Sequence, residues 1–284
     1  MMGHAALAPD TPDTLGDRDF DRLSALINRV AGIKMPRNKV LMLEGRLRRR
    51  VRAKGLATIA QYCNWLFTGN NLDGEIVYLI NAVTTNKTDF FREPRHFDFL
   101  VDSVLPDLAA KGRASIRAWS AACSTGAEPY TMAMLLDAFA RDSQGPDFGI
   151  LATDLDTEVL EIARRGVFPG EMVRPVPPVL RQRYVLQALG AGRTEVRMAP
   201  SLRSAIGFAR LNLMDERYPV GEPMDLIFCR NVLIYFDRPT QERVVRRLVS
   251  CLRPGGYLFL GHSESIAGID LPLVPVANTV FRRN

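Results

Sequence analysis

The sequence predicts an α/β protein in which an N-terminal all-α helical bundle precedes a Rossmann-like domain carrying a small antiparallel β-subdomain insertion. Three observations carry this. Apolar residues in the first 84 positions recur at helical spacing with no strand-like alternation. From residue 94 onward, strand-like and helix-like segments alternate, as they do over a mainly parallel sheet. Residues 169–205 break that alternation with Pro and Gly signals ("RPVPP", "LGAGR") around one short alternating piece, "TEVRM". The 284 residues are ample for a real core. No apolar run reaches the ~18–20 residues of a membrane-spanning helix, so membrane insertion is not expected.

Along the chain, residues 1–16 hold Ala, Pro and Asp without a basic-then-apolar leader pattern and are expected to be a disordered lead. The helical domain covers 17–84. One stripe is Phe20, Leu23, Ile27 and Val30, and a second is Val40, Leu43, Leu47 and Val51. Helical patterns continue over 59–67 and 76–83, with breaks at Gly32, Gly55 and "TGNNLDG". Residues 85–93 form a polar linker, and Pro94 suits the first turn of a helix whose apolar face is Phe97, Leu100, Val101, Val104 and Leu108. Over 94–284, "SIRAWSA", "FGILATD", "IGFARLNL", "MDLIFCR", "GYLFLG" and "NTVFRR" read as strands. Residues 127–141, 156–165 and 239–252 read as helices.

The loop "CSTGAE" follows the first strand of the α/β part, where open sheets bind ligands. A pyrophosphate would need several glycines for close backbone approach, and the loop has only Gly126 with a carboxylate at Glu128. That combination suits a cofactor bearing positive charge and no phosphate, and S-adenosylmethionine meets both conditions. Glu128 equally suits the first turn of a helix on dipole grounds. Cys123 as a nucleophile would need a partner to lower its pKa, and none is evident. Asp154 ends the second strand, the position that holds ribose hydroxyls in such folds, while Asp156 is placed to cap the next helix. Asn212 and Leu213 end a third strand, and Arg230 and Asn231 a fourth. An Asn amide can pair with an adenine edge. Tyr235 follows, as a candidate for the reacting centre or for a helix-start core position. In "TTNKTDFFR", Thr85, Asn86, Thr88 and Arg92 are candidates to face a cleft, anchored by Phe90 and Phe91.

The net charge of +6 is concentrated. Between Lys34 and Lys54 nine basic residues face one acid, Glu44, and the apolar stripe turns Arg46, Arg49 and Arg52 outward. This predicts a docking surface for an anionic partner, either nucleic acid or an acidic protein helix. The four cysteines and three histidines are scattered, without metal-ligand spacing, so no metal is expected and a reducing cytoplasm is. "GHSES" resembles half a nucleophile elbow and is a weak hydrolase signal.

Taken together, "TTNKTDFFRE", "WSAACSTGAEPY", "ATDLD", "FCRNVLIYFD" and "LRPGGYLFLGHSES" resemble the motifs of the chemotaxis receptor methyltransferases, in order and spacing, over the chain from about residue 15. The resemblance implies a class I methyltransferase domain using S-adenosylmethionine, with S-adenosylhomocysteine as product. It implies a cofactor pocket of Asn86, Thr88, Arg92, Glu128, Asp154, Asn212, Leu213, Arg230 and Asn231, with Arg92 and Tyr235 near the transferred methyl. It implies that Arg46, Arg49, Arg50 and Arg52 on the basic helix meet the acidic methylation helices in the cytoplasmic domains of chemoreceptors. The expected protein is a cytoplasmic monomer that binds no nucleic acid. The "GAGRTEVRM" loop looks shorter than in members that hold a receptor tail, so a tail-independent enzyme is expected. The two rival readings are weaker. A base-amine methyltransferase commonly has an Asn/Asp-Pro-Pro-aromatic motif where this chain has "CRNV". A non-catalytic cofactor sensor would not need both Arg92 and Tyr235.

Overall fold

The computed structural model describes residues 13–188, 192 and 194–284. The expected lead lies outside the described residues as far as position 12, as does much of the "LGAGR" loop. The chain divides into two compact units, Met1–Arg29 with Lys34–Thr84, and Val30–Ile33 with Thr85–Asn284.

The first unit is helical: α1 (Asp17–Ala31), α2 (Val40–Ala53), α3 (Ile59–Thr68) and α4 (Leu72–Val83). The stripes read from the sequence form its core, with Phe20, Leu23, Ile27, Leu43, Leu47 and Val51 all buried. Thr58 caps α3 by accepting the Gln61 N–H.

Among these apolar helices sits a buried charge cluster that corrects the docking assignment of Arg50. The fully buried Glu75 carboxylate accepts from Arg50 Nε at 2.7 Å and Nη2 at 3.0 Å, and from the Tyr62 hydroxyl at 3.0 Å; Lys54 Nζ lies at 2.9 Å. Burial opposes ionisation of Glu75, yet the bonds from Arg50, Lys54 and Tyr62 hold it below the usual carboxylate range. Arg50 is therefore an internal counter-ion. It lies one position beyond Arg49, on the face that α2 turns toward α4. Arg46 is half-buried and donates to the Val83 and Thr84 carbonyls, closing the C-terminus of α4. Arg49 and Arg52 are exposed.

The second unit opens with α5 (Pro94–Phe99), a π-helical turn (Leu100–Val104) and α6 (Leu105–Ala110). The wide turn falls just before Pro106, which has no N–H for a regular helical bond. Then follow β1 (Ser115–Ala121), α7 (Ala127–Asp142), β2 (Asp147–Asp154), α8 (Thr157–Arg165), β3 (Val167–Pro169), α9 (Pro178–Tyr184), β4 (Val185–Gln187), β5 (Glu195–Met198), α10 (Pro200–Ser204), β6 (Ile206–Arg210), β7 (Met224–Cys229), α11 (Arg238–Cys251), β8 (Leu252–Leu260), β9 (Leu273–Ala277) and β10 (Val280–Arg283).

The main sheet has the order β6-β2-β1-β7-β8-β10-β9. Its first five strands are parallel, and β10 pairs antiparallel with both β8 and β9. The chain starts mid-sheet at β1, builds outward through β2 and β6, then returns to β7 on the other side. The strand order thus reverses between β1 and β7, which opens a crevice at their carboxyl ends. All six residues of β7 are buried, as a central strand covered on both faces requires. The insertion is a three-stranded antiparallel sheet, β3-β5-β4, with α9 between β3 and β4. Sequence reading missed β9, because "LPLVPVA" carries two prolines; as an edge strand it tolerates Pro275.

Removing one partner from the Glu75 cluster leaves an unpaired buried charge. Glu75→Ala is expected to cost about 3–5 kcal/mol in the unfolding of the helical unit, measured in urea. The combined replacement Glu75→Leu with Arg50→Met should recover most of that loss.

Candidate active site

Four strand ends line the crevice. After β1 the chain turns through Ala122 to Gly126, with Ala122 and Ser124 in the left-handed region at φ 68° and 51°. Phe91, Glu93 and Asn231 share that conformation at 54°, 58° and 60°. Non-glycine residues held there cost roughly 1 kcal/mol or more each, so the surroundings must impose it. Gly126, at φ +98°, is required by packing: an added Cβ would lie 2.9 Å from Ala163 Cβ and 3.2 Å from its Cα. The glycine lets α7 approach α8 closely.

Asp154, at the tip of β2, braces this turn. One carboxylate oxygen accepts the Ser124 N–H at 2.8 Å and the other the Asp156 N–H at 3.0 Å. Ser124 Oγ in turn donates to the Asn86 carbonyl at 2.9 Å, and Asn86 Nδ2 donates to Asp156 at 2.7 Å. Asp156 also caps α8 through the Glu158 and Val159 N–H groups. The carboxylate is an acceptor at the crevice's edge, where a ribose hydroxyl would need one. Burial pushes its carboxyl up to about 6, against the pull of the Asp156 and Ser124 N–H groups.

Two ion pairs converge on Arg230, after β7. Its side chain is 2 % exposed and lies between two carboxylates, Glu93 at 3.0 Å and Glu128 at 3.2 Å. It also donates to the Arg92 carbonyl. Glu128 accepts from Ser120 Oγ at 2.7 Å with its other oxygen, and Glu93 accepts from Asn231 Nδ2 at 3.0 Å. Burial pushes the Glu128 carboxyl above its ordinary range, against the pull of Arg230. Burial opposes ionisation of Glu93 too, but the bonds from Asn231 and Arg230 hold it below that range. One guanidinium thus faces two carboxyl groups beside the β1–β7 crevice, so the carboxyls outnumber the cation that pairs them. A cation satisfies that balance, whereas a phosphate would add to the repulsion.

A second brace orders the turn carrying Asn231. Glu264, buried in the "GHSES" segment, accepts N–H bonds from Asn231 (3.0 Å), Val232 (2.8 Å), Leu233 (2.7 Å) and Gly261 (2.6 Å). A side chain at Gly261 would meet the Asn231 amide nitrogens at 2.6 and 2.8 Å. The apparent elbow is therefore a structural clasp. Tyr235 ends a short 3-10 turn (Leu233–Tyr235) and is half-buried. Arg92, also half-buried, ties its own segment by donating to the Lys87 carbonyl at 2.8 Å. Thr88 is half-buried between them in sequence, and Phe90 anchors the segment edge-on to Phe168. Asn212 Nδ2 donates to the Val30 carbonyl at 2.7 Å while its Oδ1 accepts the Met214 N–H, and Leu213 is buried. Burial pushes the Cys123 thiol well up, which disfavours the thiolate a nucleophile needs.

Sequence reading missed Glu93 and Glu264. Each is a lone acid in a segment otherwise read for Arg, Ser or His, and only the fold brings them to Arg230 and Asn231. It also missed that His96 and His262, far apart in the chain, meet beside Glu93: one ligand atom from each of the three lies within 4.8 Å of the others. Burial pushes the His96 imidazole down to about 4.

Residues 86–280 match the family described as CheR methyltransferase, SAM binding domain, and residues 18–84 match the CheR methyltransferase, all-alpha domain. The chain belongs to the CheR methyltransferase family. It is similar to the chemotaxis protein methyltransferase of Escherichia coli strain K12, at 41 % identity over 94 % of this chain and 91 % of the relative. It is also similar to chemotaxis protein methyltransferase 2 of Pseudomonas aeruginosa, at 38 % identity over 93 % and 92 %. As a CheR methyltransferase it is a chemotaxis methyltransferase, and its cofactor is S-adenosylmethionine. The residues at the crevice fit that cofactor: an unbalanced carboxylate pair suits its cationic methionine end, and Asp154 offers acceptors for a ribose. Among the described residues no helix is long and apolar enough to cross a membrane.

Below about pH 6 Asp154 takes up a proton and loses acceptor capacity. Affinity for S-adenosylhomocysteine, followed by calorimetry, is expected to fall as pH drops from 7.5 to 5. Asp154→Asn should weaken binding on the order of tenfold at pH 7.5 and shrink the pH-dependent fall.

Proposed function

We propose that this CheR methyltransferase esterifies glutamate side chains in the cytoplasmic domains of chemotaxis receptors, forming γ-glutamyl methyl esters. The observation that carries the reading is the pair of carboxyls, Glu93 and Glu128, that face Arg230 at the crevice and suit a sulfonium cofactor. S-adenosylmethionine supplies an electrophilic methyl group on a sulfonium. A glutamate, with a reference pKa of ~4.3, is already an anion at neutral pH and needs no deprotonation before attack.

The protein's own groups then align and desolvate. Glu128, Asp154, Asn86, Thr88, Asn212, Leu213, Arg230 and Asn231 seat the cofactor. Arg92 orients the incoming carboxylate through a forked pair of N–H donors, and Tyr235 narrows the approach. The carboxylate must be positioned without being neutralised, because a tight ion pair would quench its nucleophilicity. Partial exclusion of water brings the opposite charges of nucleophile and methyl donor together, and these cancel in the transition state.

Substrate recognition falls to the exposed Arg49 and Arg52 of α2, whose charge complements an acidic receptor helix. The half-buried Arg46 supports that face through its bonds at the end of α4. The chain acts as a cytoplasmic monomer and needs no receptor tail.

Incubation with radiolabelled cofactor and receptor cytoplasmic domains should give label that mild base releases, as from a methyl ester. Base-stable label, or label on RNA alone, would contradict the reading. Arg92→Ala and Tyr235→Phe should each lower kcat roughly 10–100-fold. Arg49→Glu with Arg52→Glu should raise KM for the receptor several-fold and increase its salt dependence, while kcat stays close to wild type.

A further inference from the structure

The cluster of Glu93, His96 and His262 is only partly explained by the cofactor crevice. Glu93 pairs with Arg230, but neither imidazole has a part in seating the cofactor or moving the methyl group. His96 is 2 % exposed, and its Nε2 lies 3.2 Å from the Asn278 carbonyl oxygen and 3.0 Å from Thr279 Oγ1. A carbonyl can only accept, so Nε2 carries the ring proton and the lone pair of the neutral ring is on Nδ1. That Nδ1 is buried and makes no hydrogen bond. It lies 3.4 Å from Glu93 Oε2. That oxygen takes N–H bonds from Arg230 Nε at 3.3 Å and Nη2 at 3.0 Å, which leaves the His96 lone pair facing a carboxylate with no donor of its own.

The third group completes the arrangement. His262 follows β8, is 40 % exposed, and places Nε2 3.9 Å from the same Glu93 oxygen. Its ring stands edge-on to that of His96, with centroids 4.8 Å apart and planes at 79°. Tetrahedral zinc with bonds of ~2.0–2.2 Å has ligand atoms roughly 3.3–3.6 Å apart. Glu93 and His96 already meet that spacing, and the exposed His262 ring needs only a small closing movement. The supports expected of a metal site are also in place. His96 is oriented by the Asn278 carbonyl. Glu93 Oε1 is held by Asn231 Nδ2 at 3.0 Å and the His262 backbone N–H at 3.3 Å.

We propose that Glu93 Oε2, His96 Nδ1 and His262 Nε2 form a binding site for a borderline divalent cation, zinc foremost, with water in the fourth position. Two imidazoles and one carboxylate favour zinc over magnesium or calcium, which take oxygen ligands. Arg230 donates to the same Glu93 oxygen, at 3.0 Å from Nη2, so a bound ion weakens one arm of the Arg230 ion pair. The site does not depend on the identity of the methyl acceptor, and its test reads metal binding alone.

The test uses the full chain, stripped with a chelator, competing for zinc against a chromophoric indicator. Wild type is expected to take up one equivalent. His262→Ala removes an exposed ligand while keeping the backbone, and should weaken zinc binding at least tenfold with an unchanged circular dichroism spectrum. Cobalt should give a visible absorption band with wild type that is lost in His262→Ala. Wild-type protein that binds no zinc, or a His262→Ala affinity within tenfold of wild type, overturns the proposal.

Discussion

The buried guanidinium of Arg230 is the interaction on which the rest of the site depends. It arrives at the end of the central strand β7 and draws in Glu93 from the polar linker segment and Glu128 from the first turn of α7. Three segments distant in sequence are thereby held to one point. Two carboxyls face one cation there, an arrangement that suits the positively charged methionine end of S-adenosylmethionine. An isolated buried charge would cost several kcal/mol. The same charge held by two carboxylates and a carbonyl becomes an organiser.

The strained backbone of the loops follows from this constraint. Glu93 and Asn231 adopt left-handed conformations where their side chains meet and where Glu93 meets Arg230, and Ser124 does so where its N–H meets Asp154. Glu264 holds the Asn231–Leu233 turn through consecutive backbone N–H groups, much as a helix cap holds a first turn. Each carboxylate fixes a loop, and each loop presents another group to the crevice. Positioning is thus distributed over acids that do no chemistry themselves.

Much of this was legible in the chain. Helical stripes such as Leu43, Leu47 and Val51 turned inward, and "SIRAWSA" became β1, because local periodicity and burial agree there. Asp154 and Arg230 were legible as strand-end residues and Glu128 as part of the following helix's first turn, and the structure places them so. Arg50 was misjudged because its one-position offset from Arg49 turns it toward α4, and a charge count cannot see Glu75 waiting there. The clasp at Glu264 and the meeting of His96 with His262 depend on contacts across long separations, which spacing rules do not reach. Strand β9 was hidden by prolines that only an edge position tolerates.

If Arg230 acts on cofactor binding by holding Glu128 in place, the two residues are energetically coupled. A double-mutant cycle on S-adenosylmethionine affinity, using Arg230→Met and Glu128→Gln with calorimetry, tests it most directly. The double variant is then expected to bind little worse than the poorer single variant, a coupling of about 1 kcal/mol or more. Losses that simply add, with coupling near zero, would contradict it.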